Sequence, residues 1–143
     1  MTSWHDFKKD WVLLLEAGFI AVNQADEDSA LKLFKAAELL KPDNALPKVG
    51  FGYLHLHKLE LKQACKMFEE ALEIEPANDM AKALLGISMS MAPTSLEKGE
   101  KILEQTLKSH DPLIKSLSTT ALDFVDQFLK KAPSPIEGPR KRS

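Results

Sequence analysis

Apolar residues recur at every third or fourth position from the start of this chain, the period of a helix with one buried face. Trp4, Phe7, Trp11, Leu14 and Leu15 make the first stripe, and Ser3 with Asp6 has capping-box spacing, so a helix is predicted from Ser3. From Trp11 to Val22 nearly every residue is apolar and Glu16 is the lone charge, which predicts burial on most faces. Asn23 to Asp28 interrupts the pattern. Asp26 and Asp28 suit the positive start of a second helix, carrying Ala30, Leu33, Phe34, Ala37 and Leu40. Lys41-Pro42-Asp43-Asn44 reads as a turn, with Asp43 or Asn44 capping the next helix and Pro47 in its first turn, where the missing N–H costs nothing. That helix is predicted to run to about Lys58. After a turn at Leu59-Glu60 its partner holds Leu61, Ala64, Met67, Phe68, Ala71 and Leu72.

The two helix pairs superimpose in sequence. Gly18, Ala30, Phe34, Ala37 and Pro42 recur as Gly52, Ala64, Phe68, Ala71 and Pro76, each shifted by 34 residues. This period and pattern resemble the tetratricopeptide repeat, a pair of antiparallel helices that stacks on its neighbours because it cannot bury its own apolar face. A degenerate third copy follows. Leu85 and Gly86 match Phe51 and Gly52, Pro93 closes the first helix, and Thr94 with Glu97 has capping-box spacing. One inserted residue brings Gly99, Leu103 and Thr106 into the places of Ala64, Phe68 and Ala71. The expected fold is therefore all-α, one domain over residues 1–132, with repeats at about 11–44, 45–78 and 79–111 and a capping helix over 112–132. Asp111-Pro112 starts that helix. Leu113, Ile114, Leu117, Ala121, Phe124, Val125 and Phe128 form its apolar face, and Thr119, Asp123, Asp126 and Lys130 look outward, as a terminal repeat needs for solubility. Residues 133–143, rich in proline and basic residues, are expected to be disordered.

Composition narrows the function. The chain has 143 residues, 44% apolar and 28% charged, with a formal net charge of −2. The segment after Pro133 carries +2, so residues 1–132 carry −4, a balance that argues against nucleic-acid binding. Cys65 is the single cysteine, so no internal bridge forms and a reducing cytoplasm fits best. The first residues lack the pattern of a secretory signal, and no apolar run is long enough to span a bilayer. His55 and His57 lie two apart on a helix and point to nearly opposite faces, so they do not share a metal. No metal, nucleophile or phosphate-binding motif is present, so neither an enzyme nor a cofactor is expected. Glu69, Glu70, Glu73 and Glu75 read as a solvated face.

The mid-helix glycines cost about 1 kcal/mol each against alanine, a cost that close helix approach explains. Gly18, Gly52 and Gly86 are expected to admit the partner helix, with Phe34 and Phe68 filling the space beside it. In stacked repeats the first helix of each pair lines the concave side. The positions expected there are Val12, Leu15, Phe19 and Val22, then Leu46, Val49, Tyr53 and Leu56, then Met80, Ala83, Leu84, Ile87 and Met91. Nearly all are apolar, which suits an amphipathic helix with anchors at i, i+3, i+4 and i+7. Lys48 and Lys82 fall one position off this lining. The first helix has no repeat before it, so its apolar circumference expects either a partner or the last helix to cover it.

A small three-repeat chain with an apolar groove and no enzyme motif resembles the chaperones of type III secretion. Ala45-Leu46-Pro47-Lys48-Val49-Gly50-Phe51-Gly52 with Leu54-His55-Leu56-His57-Lys58, and Asp123-Phe124-Val125-Asp126-Gln127-Phe128 with the Pro133-Ser134-Pro135 tail, look like the needle-subunit chaperones of chlamydia-like bacteria. The chaperones of pore-forming translocators are similar in repeat number, and a generic tetratricopeptide adaptor is the third reading. The needle-chaperone resemblance implies a cytoplasmic heterocomplex. Its groove holds the helical C-terminal part of a polymerising needle subunit, and a small helical co-chaperone contacts Trp4, Phe7 and Trp11. On this reading an aspartate at Leu15 or Tyr53 releases the client while the fold survives.

Overall fold

The computed structural model describes residues 4–130, with side chains described from Lys9 onward. Every regular element among the described residues is helical. The chain divides into two compact units, Met1–Ala77 and Asn78–Ser143, each with its own packing.

The first unit holds α1 (Trp4–Asn23), α2 (Glu27–Leu40), α3 (Leu46–His57) and α4 (Leu61–Ile74). α1 pairs with α2 and α3 with α4, and both helices of the first pair touch α3. The small and large residues of the 34-residue pattern make these contacts. Ala30, Phe34, Ala37, Ala64, Phe68 and Ala71 are fully buried. A Cβ placed on Gly18 would lie 2.8 Å from Phe34 Cδ1, and one on Gly52 would lie 2.7 Å from Phe68 Cδ1, so each glycine is the seat of a phenylalanine ring. Gly50 meets the same Phe34 ring, with a Cβ at 2.6 Å from Cδ1. Phe34 thus sits between α1 and α3, with Phe19 and Phe51 edge-on to it at 5.2 and 5.7 Å.

Asp26 is the N-cap of α2, whereas the N-cap of α3 is Ala45, whose side chain makes no cap bond, and Asn44 stands one residue before it. Asp26 accepts from the Ser29 N–H, and hydrogen bonding to the Ser29 side chain and then to its backbone lowers the Asp26 carboxyl's pKa. Asn44, rather than Asp43, accepts from the Leu46 N–H at 2.9 Å. Three residues separate α1 from α2 and α3 from α4, and in each turn the second of them, Ala25 or Leu59, has a positive φ of 59° or 58°. These two positions are again 34 apart. A side chain in the left-handed region crowds its own carbonyl, so Leu59→Gly is expected to stabilise the fold by about 0.5–1 kcal/mol after glycine's larger unfolded-state entropy is set against the relief. Thermal unfolding checks this; a lower midpoint would contradict it.

The second unit holds α5 (Asp79–Ser90), α6 (Leu96–Thr106), α7 (Pro112–Phe124) and a π-helical turn, Val125–Leu129. α5 pairs with α6, and α7 packs on both. Leu103 meets Gly86 as Phe68 meets Gly52, one residue later in register. Here the turn between the paired helices is five residues long rather than three. Proline stands at position 93, the 34-residue equivalent of Leu59, and its fixed negative φ forbids the left-handed turn of the other two pairs. The expected Thr94 cap does not form. α6 starts from Ser95, whose hydroxyl instead donates to the Met89 carbonyl at 2.7 Å. Asn78 caps α5 through the Ala81 N–H, and Asp111 caps α7 through the Leu113 N–H, the latter where the sequence places the start of the last helix.

Candidate functional site

The last helix departs from its expected role. Ile114, Ser118, Leu122 and Val125 form its buried edge. Ser118 is tolerated there because its hydroxyl meets Thr106 Oγ1 at 2.6 Å and lies 2.8 Å from the Ile114 carbonyl. The other edge of the apolar face stays open. Leu113 is 64% exposed, Phe124 49% and Phe128 63%. The face is wider than the surface its neighbours supply, so the helix is not the closed, polar-backed cap that solubility alone would call for. Among the residues expected to look outward, Thr119, Asp123 and Lys130 are exposed, Lys130 while ion-paired, whereas Asp126 is half-buried.

Between α5 and this open edge runs a groove of about 300 Å³. Ile87, Ser90 and Met91 line it from α5, Leu117, Thr120, Ala121 and Phe124 from α7, and Val125 and Leu129 from the π turn. No charged side chain takes part. Phe124 and Phe128 pack with ring centroids 5.1 Å apart, which extends the apolar surface beyond the groove. Leu113 lies one turn before Leu117 on the same face. The outcome is an apolar strip along α7, with the α5 residues as its far wall.

The positions read from the sequence as concave lining divide sharply. Ile87 and Met91 line this groove, and Met80 is half-buried. Ala83 and Leu84, at 0% and 7% exposure, are core. In the first unit Leu15, Val22 and Val49 are core as well, each at 5% or less. They offer no surface to a partner, and an aspartate at Leu15 would bury an unpaired charge and unfold the unit rather than release a client. Phe19, Leu46, Tyr53 and Leu56 are half-buried and Val12 is exposed. Phe19 and Tyr53 touch at 5.6 Å, and the Tyr53 hydroxyl donates to Asn23 Oδ1, so α1 and α3 share one partly open apolar face.

Trp11 is also core. It is 6% exposed, its indole N–H donates to the Ala37 carbonyl at 3.0 Å, and the Lys41 ammonium lies 4.2 Å from the ring centre. It is therefore no partner contact; the large apolar residues that α1 exposes among its described side chains are Val12, Leu13 and Ile20, the last two more than half exposed. Trp4 and Phe7 lie outside the residues whose side chains are described, and the tail after residue 130 lies outside the described residues altogether.

The polar residues serve the fold. Lys48 bridges Glu38 and Glu70 at 3.3 and 3.9 Å, which draws Glu70 out of the solvated acidic face to which its sequence neighbours belong. His55 pairs with Glu60 at 2.9 Å, while His57 packs on the Tyr53 ring, so the two histidines do part company. Burial, with Glu69 nearby, pushes the Cys65 thiol up, the direction of an unreactive side chain. Among the described residues no group of three or more histidines, cysteines or carboxylates could hold a metal ion. No described helix is long and apolar enough to cross a membrane.

The chain matches no protein-family model and no curated protein.

The groove missed by sequence reasoning had a signal. Seven apolar residues spread over the whole width of one amphipathic helix exceed what a single pair of neighbours covers.

Proposed function

We propose that this chain is a tetratricopeptide-type chaperone of the cytoplasm that holds an amphipathic helix of a type III secretion needle subunit and keeps it from polymerising early. The observation that carries the reading is the uncharged groove between α5 and α7, open along Phe124 and continued by Phe128. A partner helix with anchors one turn apart buries such a strip, and each well-covered Leu or Phe contributes roughly 1.5–3 kcal/mol before ordering costs. Methionine at position 91 gives the wall an adaptable side chain. The identity of the client rests on the resemblance of residues 45–58 and 123–128 to needle-subunit chaperones. A small helical co-chaperone then covers Leu13 and Ile20 on α1 in place of Trp11.

Co-expression with the needle subunit encoded in the same genome tests the reading. A soluble heterocomplex is expected where the needle subunit alone precipitates or polymerises. A needle subunit that stays aggregated beside a folded, soluble partner would contradict it.

A further inference from the structure

The groove's outer wall is a π-helical turn, anchored at its start by the buried Val125 and at its far end by an ion pair of Lys130. Val125 and Leu129 of the turn line the groove, and the Lys130 N–H closes the turn on the Val125 carbonyl at 2.9 Å. The turn packs chiefly on α7, which leads into it. Beyond Val125 its apolar residues are open, with Phe128 at 63% and Leu129 at 37% exposure. Lys130 Nζ, however, reaches across to Glu100 Oε2 on α6 at 2.6 Å and lies 3.5 Å from Asp126 Oδ1. Glu100 is only 8% exposed, in a helix whose other buried residues are Gly99, Leu103 and Thr106.

A carboxylate this far from water needs its cation, because removing one partner of a buried pair leaves the other charge uncompensated. Lys130 gains from the same contact, which holds its ammonium above the usual lysine range. The pair is therefore worth more than an exposed surface bridge, and it joins the end of the turn to the helix behind it.

We propose that Lys130 is a positioning residue for the groove: its bond to Glu100 latches the Val125–Leu129 turn and so sets the outer wall against which a helical client packs. This rests on the reading of the groove as a client site, but the latch exists without a client and is tested without one. Release of the latch frees Leu129 and Phe128 to move outward, widening the groove; its closure presents them to the bound helix.

Amide hydrogen exchange of the unliganded full chain reads the latch directly. In Lys130→Met the amides of residues 126–130 are expected to exchange about tenfold faster or more, with α5 and α6 unchanged. Lys130→Arg restores protection. Glu100→Gln reproduces the loss, and Lys130→Met combined with Glu100→Gln adds little to either alone, as residues acting through one bond require. Exchange at 126–130 within twofold of wild type in both single variants overturns the latch, whatever client binding does. Full loss of protection there together with unchanged client affinity would leave the latch standing and refute its role as the groove wall.

Discussion

Phe34→Ala is expected to cost about 3–5 kcal/mol of folding stability, the upper range for removal of a buried aromatic ring. The ring is fully buried, is seated on Gly18 and Gly50 from two different helices, and is met edge-on by Phe19 and Phe51. Glycine leaves its floor flat on both sides, so the backbone has no side chain with which to refill the space. The cavity then stays open, and the cost scales with its volume rather than relaxing away. Chemical denaturation of the variant measures the loss. A change below about 1.5 kcal/mol would show that α1 and α3 collapse onto the vacated site and that the glycines are not rigid seats.

Gly99→Ala is the second large effect, and its sign runs against helix propensity. An exposed mid-helix glycine gains about 1 kcal/mol from this exchange. At position 99 the new Cβ would lie 2.6 Å from the Ser90 backbone nitrogen and 2.7 Å from the Gly86 carbonyl oxygen. Both belong to the α5 backbone, and the Ser90 hydroxyl already donates to that same carbonyl at 2.7 Å. At Gly18 a ring can tilt aside; here α5 and α6 must move apart. A loss of about 3 kcal/mol is expected, at the top of the overpacking range, and the shift displaces Ser90 and Met91 in the groove. Equal or greater stability in thermal unfolding would contradict the close approach of these helices.

Much of this architecture was legible because glycine, alanine and phenylalanine recur at fixed spacing and each has a distinct steric role. Gly18 with Phe34, Gly52 with Phe68 and, one residue out of register, Gly86 with Leu103 all meet as the spacing implies. Gly50 was not read as a seat for Phe34, since no repeat partner marked it. The left-handed residues at Ala25 and Leu59 were invisible as well, because neither type favours that backbone. The concave lining was read least well. Helix periodicity places Leu15, Val22, Val49, Ala83 and Leu84 on an apolar face, but it does not say how much of that face the neighbours already cover. The same gap hid the open edge of α7. Its stripe was plain in sequence, whereas its division into a buried half at Ile114, Leu122 and Val125 and an exposed half at Leu113, Phe124 and Phe128 depends on where α5 and α6 end.

The most direct measurement is a titration of the isolated helical segment of the needle subunit into the folded chain and two variants. Phe124→Asp places a charge on the open rim of the groove, at a residue already half exposed, so the fold survives. Leu39→Asp changes a more exposed leucine on α2 that takes no part in the groove and serves as control. Binding by wild type and by Leu39→Asp at equal affinity, with a loss of about tenfold or more in Phe124→Asp, is the expected result. Equal binding by all three chains would contradict the groove as the client site.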